Sequence, residues 1–238
     1  MPTTHAVLFD FGGTLYDYRT LERANRESLV ALAGWVGIDA DADGLARAHR
    51  DALRQVFNEY LPRPFYLHAD LFRDTLMVMF QALGSPLKAS QLERHQALLR
   101  KAQIRDLALR EGVAETLRAL RERGLVLGLV SNIDEAQLAD LAVAGGIGPQ
   151  LDWMLSSEKA GSCKPHRGIF EQALERAGCA PHEALFVGDT LRQDVAGANR
   201  AGMRSVLLWH RDDRSPPDEE PHPHHVIRRI PELLQLTG

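Results

Sequence analysis

Four short stretches of this 238-residue chain carry side chains that could do chemistry together. Asp10 ends an apolar run and leads into Phe11-Gly12-Gly13-Thr14. Ser131-Asn132 follows a second apolar run, and Lys164-Pro165 comes after a third and a loop. Gly188-Asp189-Thr190 closes a fourth, with Asp194 five residues past Asp189. Carboxylates can ligate a hard cation such as Mg²⁺, which takes oxygen ligands and keeps several waters. A carboxylate can also attack phosphorus, splitting one hard displacement into two easier ones. A lysine puts fixed positive charge where negative charge gathers. A serine at a helix start and the N–H groups of a glycine loop can hold an anion.

The surrounding sequence must bring these stretches together. Ala6–Asp10 (AVLFD) reads as a buried strand running into a glycine loop. From about Arg19 to Lys101 no strand is evident. Apolar residues recur at helical spacing in Leu21–Val36, Leu45–Tyr60, Ala69–Leu83 and Leu92–Ile104, with breaks at Gly34, Gly37, Gly44, Pro62, Pro64, Gly84 and Pro86. That predicts a helical bundle. From Glu111 onward helix and strand alternate. Helices are expected over Val113–Arg123, Asp134–Ala144, Pro165–Ala177 and Leu191–Ala201. Strands are expected over Leu125–Val130, Asp152–Leu155, Ala184–Val187 and Ser205–Trp209. Alternation with short links implies parallel strands and right-handed crossovers, an α/β doubly wound, Rossmann-like sheet with an inserted helical domain. Arg211–His225 reads as a Pro-, Asp- and His-rich loop before a last helix, Pro231–Leu236. In such sheets ligands bind at the carboxyl ends of the strands, where all four stretches fall.

These motifs resemble those of the haloacid dehalogenase superfamily, most of whose members are phosphohydrolases. The match runs through Asp10 with Gly13-Thr14-Leu15, Ser131-Asn132, Lys164-Pro165, and Gly188-Asp189 with Asp194. It covers the whole chain, and four motifs in order after four strands are specific where one would be weak. The resemblance implies a catalytic core of residues 1–17 and 106–238, with a helical cap of the first class over 18–105. It implies Asp10 as nucleophile, with Lys164 and Ser131 assisting. The phosphate would be bound by Ser131, Asn132, Lys164, Gly13 and Thr14. Mg²⁺ would be held by Asp10, the Gly12 carbonyl, Asp189 and Asp194, the last holding a metal-bound water or orienting Lys164. The cap would close on hinges at Tyr16–Tyr18 and about Arg105–Glu111, and Asp17 matches a position of structural type.

Plainer readings exist for each residue alone. An Asp at a strand end is usually a turn former, Ser131 an N-cap, Lys164 a solvated lysine and Asp194 a first-turn carboxylate. His222, His224 and His225 read as a solvated loop rather than a metal cluster. Cys163 reads as a reduced thiol despite its neighbour Lys164. In the cap, Trp35, Phe57, Phe65, Tyr66, Phe72 and Phe80 read mostly as packing. Arg23, Arg26, Arg47, His49, Arg54 and His68 are candidates to meet an anionic substrate, or a solvated face.

Position 12 departs from the pattern. Phosphatases of the superfamily carry a second Asp two residues after the nucleophile, which protonates the leaving group and then deprotonates water. Here it is Gly12. General acid–base help is worth ~10²–10⁴-fold. A slow Mg²⁺-dependent phosphatase acting on a small phosphorylated metabolite is the leading expectation, with Gly12→Asp expected to speed it. The alternative is a non-catalytic phosphate- and Mg²⁺-binding regulatory or partner-binding protein. A 2-haloacid dehalogenase or phosphonate hydrolase ranks below both. The dehalogenase branch carries an aromatic residue at that position and a Ser/Asn-rich last motif. The phosphonate branch needs an early cap lysine, and this cap has only Lys88 and Lys101.

Composition agrees with a soluble globular protein: 45% hydrophobic and 25% charged residues, with a formal net charge of −4 that argues against a nucleic-acid binder. The longest apolar stretch, Leu125–Val130, is too short to span a membrane, and the first ten residues lack a signal-peptide pattern. Two cysteines make neither a disulfide framework nor a zinc site. A cytoplasmic protein, monomeric or homodimeric, binding neither nucleic acid nor membrane, is expected.

Overall fold

The computed structural model describes residues 3–210, 213, 215–216, 218 and 220–237. The first strand, β1 (Ala6–Phe9), is buried on both faces and leads through Asp10 into a tight loop. A 3₁₀ turn at Tyr18–Leu21 then opens four helices: α1 (Glu22–Trp35), α2 (Ala42–Tyr60), α3 (His68–Ala82) and α4 (Ala89–Asp106). The chain returns through α5 (Val113–Glu122), β2 (Val126–Ser131), α6 (Glu135–Ala144), β3 (Trp153–Ser156), the single turn α7 (Ser157–Ala160) and α8 (Arg167–Ala177). It ends with β4 (Ala184–Gly188), α9 (Ala196–Arg200), β5 (Arg204–Leu208), β6 (His225–Ile227) and a 3₁₀ segment, Ile230–Gln235.

The six strands form one parallel sheet in the order β3-β2-β1-β4-β5-β6. Alternate residues feed opposite faces, as the period of two requires. Val7, Phe9, Leu127, Leu129, Leu185 and Val187 point to one face, with Val113, Leu117, Leu138, Leu141 and Leu233 of the covering helices. Ala6, Leu8, Val130 and Phe186 point to the other, against Ile169, Phe170, Ala173 and Ala198. Both faces are covered, which explains why the strands read as continuous apolar runs rather than alternating ones. The order reverses between β1 and β4, so their carboxyl ends flank the switch-point crevice.

The four inserted helices have their own apolar contacts. Leu29, Leu32, Leu45, Leu76, Met79 and Phe80 form one cluster. Val56, Tyr60, Tyr66 and Leu71 form a second, and Cys163 from beside the sheet joins it. The helical block therefore docks next to Lys164. The two chain crossings are tied together: Tyr16 pairs with Leu109 in an antiparallel bridge, and Arg110 N–H donates to the Leu15 carbonyl at 2.9 Å.

Several sequence expectations are corrected. The helix expected over Leu191–Ala201 opens with a widened π-type turn, Leu191–Val195, before α9. There the Val195 N–H bonds five residues back to the Thr190 carbonyl, a distortion common at functional sites. The helix expected from Pro165 begins only at Arg167. The last helix is 3₁₀ in character. The loop expected to end at His225 runs instead into an edge strand starting there, and the His224 Nδ1 lies 3.1 Å from the Ser205 N–H. Residues 211, 212, 214, 217 and 219 of that loop lie outside the described residues. Three residues of edge strand are too few to show a period, which is why β6 was not foreseen.

Candidate active site

Asp10 continues β1 by one residue: its N–H donates to the Val187 carbonyl at 2.8 Å. That places it at the switch point beside Asp189, which follows β4. Lys164 Nζ donates to Asp10 Oδ1 at 2.6 Å and to Asp194 Oδ1 at 2.7 Å. Its side chain is 1% exposed. Ligand oxygens of Asp10, Asp189 and Asp194 lie within 4.8 Å of one another.

Each group is held by an identifiable device. The Thr14 hydroxyl donates to Asp10 Oδ2 at 3.0 Å, and the Ser131 hydroxyl makes a longer contact to Oδ1 at 3.4 Å. Asp194 is turned toward Lys164 by Thr190, whose N–H and hydroxyl both donate to Asp194 Oδ2, at 3.0 and 2.6 Å. The widened turn after β4 makes that reach possible. Lys164 is aimed by Asn132: the Lys164 N–H donates to Asn132 Oδ1 at 2.7 Å, and Asn132 Nδ2 donates to the Lys164 carbonyl at 2.9 Å.

These bonds revise several expected roles. Asn132 braces the Lys164 backbone rather than reaching for an anion with its amide. Pro165 lies ahead of α8, and Asn132 holds the Lys164 backbone on both sides. Gly13 does not offer its N–H to a phosphate, because that group donates to the Tyr16 carbonyl at 2.9 Å. Thr14 is fully buried and steadies the Asp10 carboxylate. Ser131 closes β2 rather than opening a helix; α6 starts at Glu135. Among the described residues, Thr14, Ser131 and Lys164 are the side-chain donors to Asp10.

Three carboxylates face one ammonium. Burial pushes the Asp10 carboxyl up, and Asp194 adds to this against the pull of Lys164. Burial also pushes Asp189 up, followed by repulsion from Asp10 and Asp194. Burial would lower Lys164, but Asp10 and Asp194 outweigh it and hold the ammonium charged. The Asp189 carboxylate accepts no hydrogen bond among the described residues. A carboxylate without a donor, pressed against two others, is the donor set that suits a hard divalent cation. The Gly12 carbonyl, in the loop after Asp10, accepts no turn or loop backbone bond among the described residues.

Three residues that the sequence places only in hinges also shape the site. Arg110 donates through Nε and Nη2 to the Gly13 carbonyl, at 3.0 and 2.7 Å, and through Nη1 to Asp17 at 3.2 Å. It locks the loop after Asp10 to the return crossing; its place in the expected hinge was the only signal. Tyr16 and Tyr18 lie over Gly12, and their alternation with Asp17 was the signal there. A Cβ built on Gly12 would stand 2.9 Å from the Tyr16 hydroxyl and 2.5 Å from that of Tyr18. Gly12→Asp is therefore not the simple gain expected: both hydroxyls must shift to admit it. A Cβ on Gly13 would run into the Asp189 carboxylate, and the residue's φ of 82° also favours glycine.

In the helical block, three of the six named cations are paired with carboxylates. Arg23 pairs with Asp106, Arg26 with Glu22 and Asp43, and Arg54 with Asp51. His68 is placed differently. Its ring stacks on Tyr66 at 5.6 Å, and burial, then Lys164, depress it to about 4. Its Nε2 is buried without a partner. Phe80 is fully buried and Tyr66 nearly so, while Phe65 and Phe72 are partly exposed. Cys163 Sγ contacts the Tyr66 carbonyl at 3.5 Å, and burial raises its thiol.

Comparison with known proteins agrees with this geometry. The profile of the haloacid dehalogenase-like hydrolases matches residues 4–202. The chain is 30% identical over 216 residues to the ribulose-1,5-bisphosphate 5-phosphatase of Halopiger xanaduensis, covering 85% of this chain and 84% of that protein. It is 30% identical over 237 residues to the glyceraldehyde 3-phosphate phosphatase of Methanopyrus kandleri, covering 98% and 96%. The crystal structure of YfnB from Bacillus subtilis bound to magnesium has the same fold, with a TM-score of 0.82 at 19% identity and 99% coverage of both chains. No helix among the described residues is long and apolar enough to cross a membrane. The motifs in sequence, the sheet that gathers them and the matched profile agree: this chain belongs to the haloacid dehalogenase-like hydrolases.

Proposed function

We propose that the protein is a Mg²⁺-dependent phosphatase that acts on a small phosphorylated metabolite through an aspartyl-phosphate on Asp10. The observation that carries this reading is Lys164 held between Asp10 and Asp194 while Asp189 stands without a donor. Asp10, Asp189 and the Gly12 carbonyl would hold the cation, with Asp194 orienting Lys164. When bound, Mg²⁺ supplies positive charge that offsets the carboxylates and the phosphoryl oxygens.

Asp10 Oδ2, steadied by Thr14, is the attacking oxygen; Oδ1 is engaged by Lys164. Ser131 and Lys164 bind the phosphoryl oxygens and stabilise charge that builds in the transition state. Residues 18–105 act as a cap over a core of 1–17 and 106–238, closing to exclude bulk water and select the substrate. The relatives named as phosphatases of ribulose 1,5-bisphosphate and glyceraldehyde 3-phosphate favour a phosphorylated small carbohydrate. The setting proposed is cytoplasmic, as a monomer or homodimer.

The test is a panel of small phosphate esters with Mg²⁺ and with chelator, on wild type and Asp10→Asn. Hydrolysis that needs Mg²⁺ and vanishes in the variant supports the proposal. No phosphoenzyme from aryl or acyl phosphates, with no change in the variant, leaves a phosphate-binding regulatory protein instead. Metal-independent halide release from a 2-haloacid would point to a dehalogenase; the acidic Asp189 argues against it.

A further inference from the structure

The loop after Asp10 lacks the carboxyl that its relatives use for proton transfer, yet the space that side chain would occupy is filled. A Cβ on Gly12 would lie 2.5 Å from the Tyr18 hydroxyl oxygen and 2.9 Å from Tyr18 Cζ. A Cβ on Gly13 would lie 2.9 Å from Tyr18 Cε2. The ring therefore lies across the loop with its hydroxyl at the position-12 slot. We propose that this hydroxyl does the work of the missing carboxyl, donating a proton to the leaving oxygen of the substrate. The inference rests on the phosphatase reading above.

The ring's placement is built, not incidental. Tyr18 meets Tyr16 edge-on, with centroids 5.6 Å apart at 79°, and Tyr16 meets Phe11 at 4.8 Å and 80°. Edge-to-face pairs are attractive beyond their buried area, so the ladder anchored on buried Phe11 sets where the outer hydroxyl points. Tyr16 is 6% exposed, whereas Tyr18 as a residue is 58% exposed; burial of its phenol, then the charges of Tyr16, Asp10, Asp189 and Asp194, hold the hydroxyl protonated until a strong base departs beside it. Of the two, only Tyr18 meets both the slot and open space. It is also the first residue of the 3₁₀ turn that enters the helical block, where a leaving group held under a cap would lie. Glycine at position 12 and tyrosine at 18 are complementary: any side chain at 12 would expel the phenol.

The chemistry balances. As the Asp10 oxygen bonds to phosphorus and the ester P–O bond breaks, the Tyr18 O–H proton passes to the departing alkoxide. A phenolate and an aspartyl-phosphate remain. Water then attacks the phosphorus, its proton returns to the phenolate, and inorganic phosphate and free Asp10 are released. Proton donation matters most for poor leaving groups and least for activated ones.

The experiment compares propyl phosphate with p-nitrophenyl phosphate, with Mg²⁺, for wild type, Tyr18→Phe and Tyr16→Phe. Circular dichroism and thermal melting verify that each variant folds. For Tyr18→Phe, kcat on propyl phosphate is expected to fall ~10-fold or more, and on the aryl ester by less than about threefold. Tyr16→Phe is expected to leave the ratio of the two rates near that of wild type. An equal loss on both esters, no loss on either, or a larger shift of the ratio in Tyr16→Phe overturns the assignment while the phosphatase reading stands. Wild type inert toward both esters would remove that reading, and this one with it.

Discussion

The carboxylate of Asp134 accepts from the backbone N–H of His68 at 2.8 Å, and from the next, Ala69, at 2.7 Å. Asp134 stands at the N-cap of α6 yet makes no cap bond to its own helix. It caps α3 instead, whose own N-cap residue, Leu67, has no side-chain acceptor. A residue of the sheet-bearing half thus completes a helix of the inserted block, next to His68 and Lys164. Loss of a cap costs ~0.5–2 kcal/mol. In Asp134→Ala, amide exchange at His68 and Ala69 should quicken by ~10-fold, the factor that about 1.4 kcal/mol provides. Unaltered exchange would mean that the contact carries no stability.

Asp189 bears on metal dependence. Burial and two neighbouring carboxylates disfavour its charged form. In chelator at pH 8, Asp189→Asn should therefore be more stable than wild type, by on the order of 1–2 kcal/mol. Millimolar Mg²⁺ should raise the melting temperature of wild type and leave the variant nearly unmoved, because ligand binding to the folded state stabilises it. Equal Mg²⁺ shifts in the two proteins would remove Asp189 from the cation site.

Among the described residues, Lys164 is the one ammonium bonded to Asp10 and Asp194. Lys164→Met would leave Asp10 and Asp194 buried and uncompensated, at a cost of ~3–5 kcal/mol. Urea unfolding at pH 7 should show that loss, with partial recovery at pH 5 as Asp10, whose carboxyl burial pushes up, takes up a proton. A variant as stable as wild type at pH 7 would show that the triad is not under the strain inferred.

A second acid-sensitive point lies in the helical block. His95 is 4% exposed, and burial, with a smaller push from His49, lowers it from 6.5 to about 4. Between those values the unfolded chain binds the extra proton, so stability is intact above pH 6.5 and falls as pH drops toward 4. At pH 5 the loss from this group is ~2 kcal/mol. His95→Leu should shrink the difference in stability between pH 7 and pH 5 by about that amount. Parallel pH profiles in urea denaturation would contradict it.

The α/β alternation, the helical block after β1 and the placement of Asp10, Ser131, Lys164, Asp189 and Asp194 along the carboxyl edge of the sheet were legible in the chain. Each rests on local periodicity and on the rule that parallel strands present their carboxyl ends to one edge. Position 12 was legible only as an absence. That Tyr18 folds over it, that Asn132 is bound to the Lys164 backbone, that Asp134 caps a distant helix and that Arg110 holds the Gly13 carbonyl depend on residues brought together across 6 to 97 positions of chain. Periodicity assigns a residue to an element and a face. Which donor meets which acceptor depends on how elements pack, and for these four contacts only the assembled fold decides it.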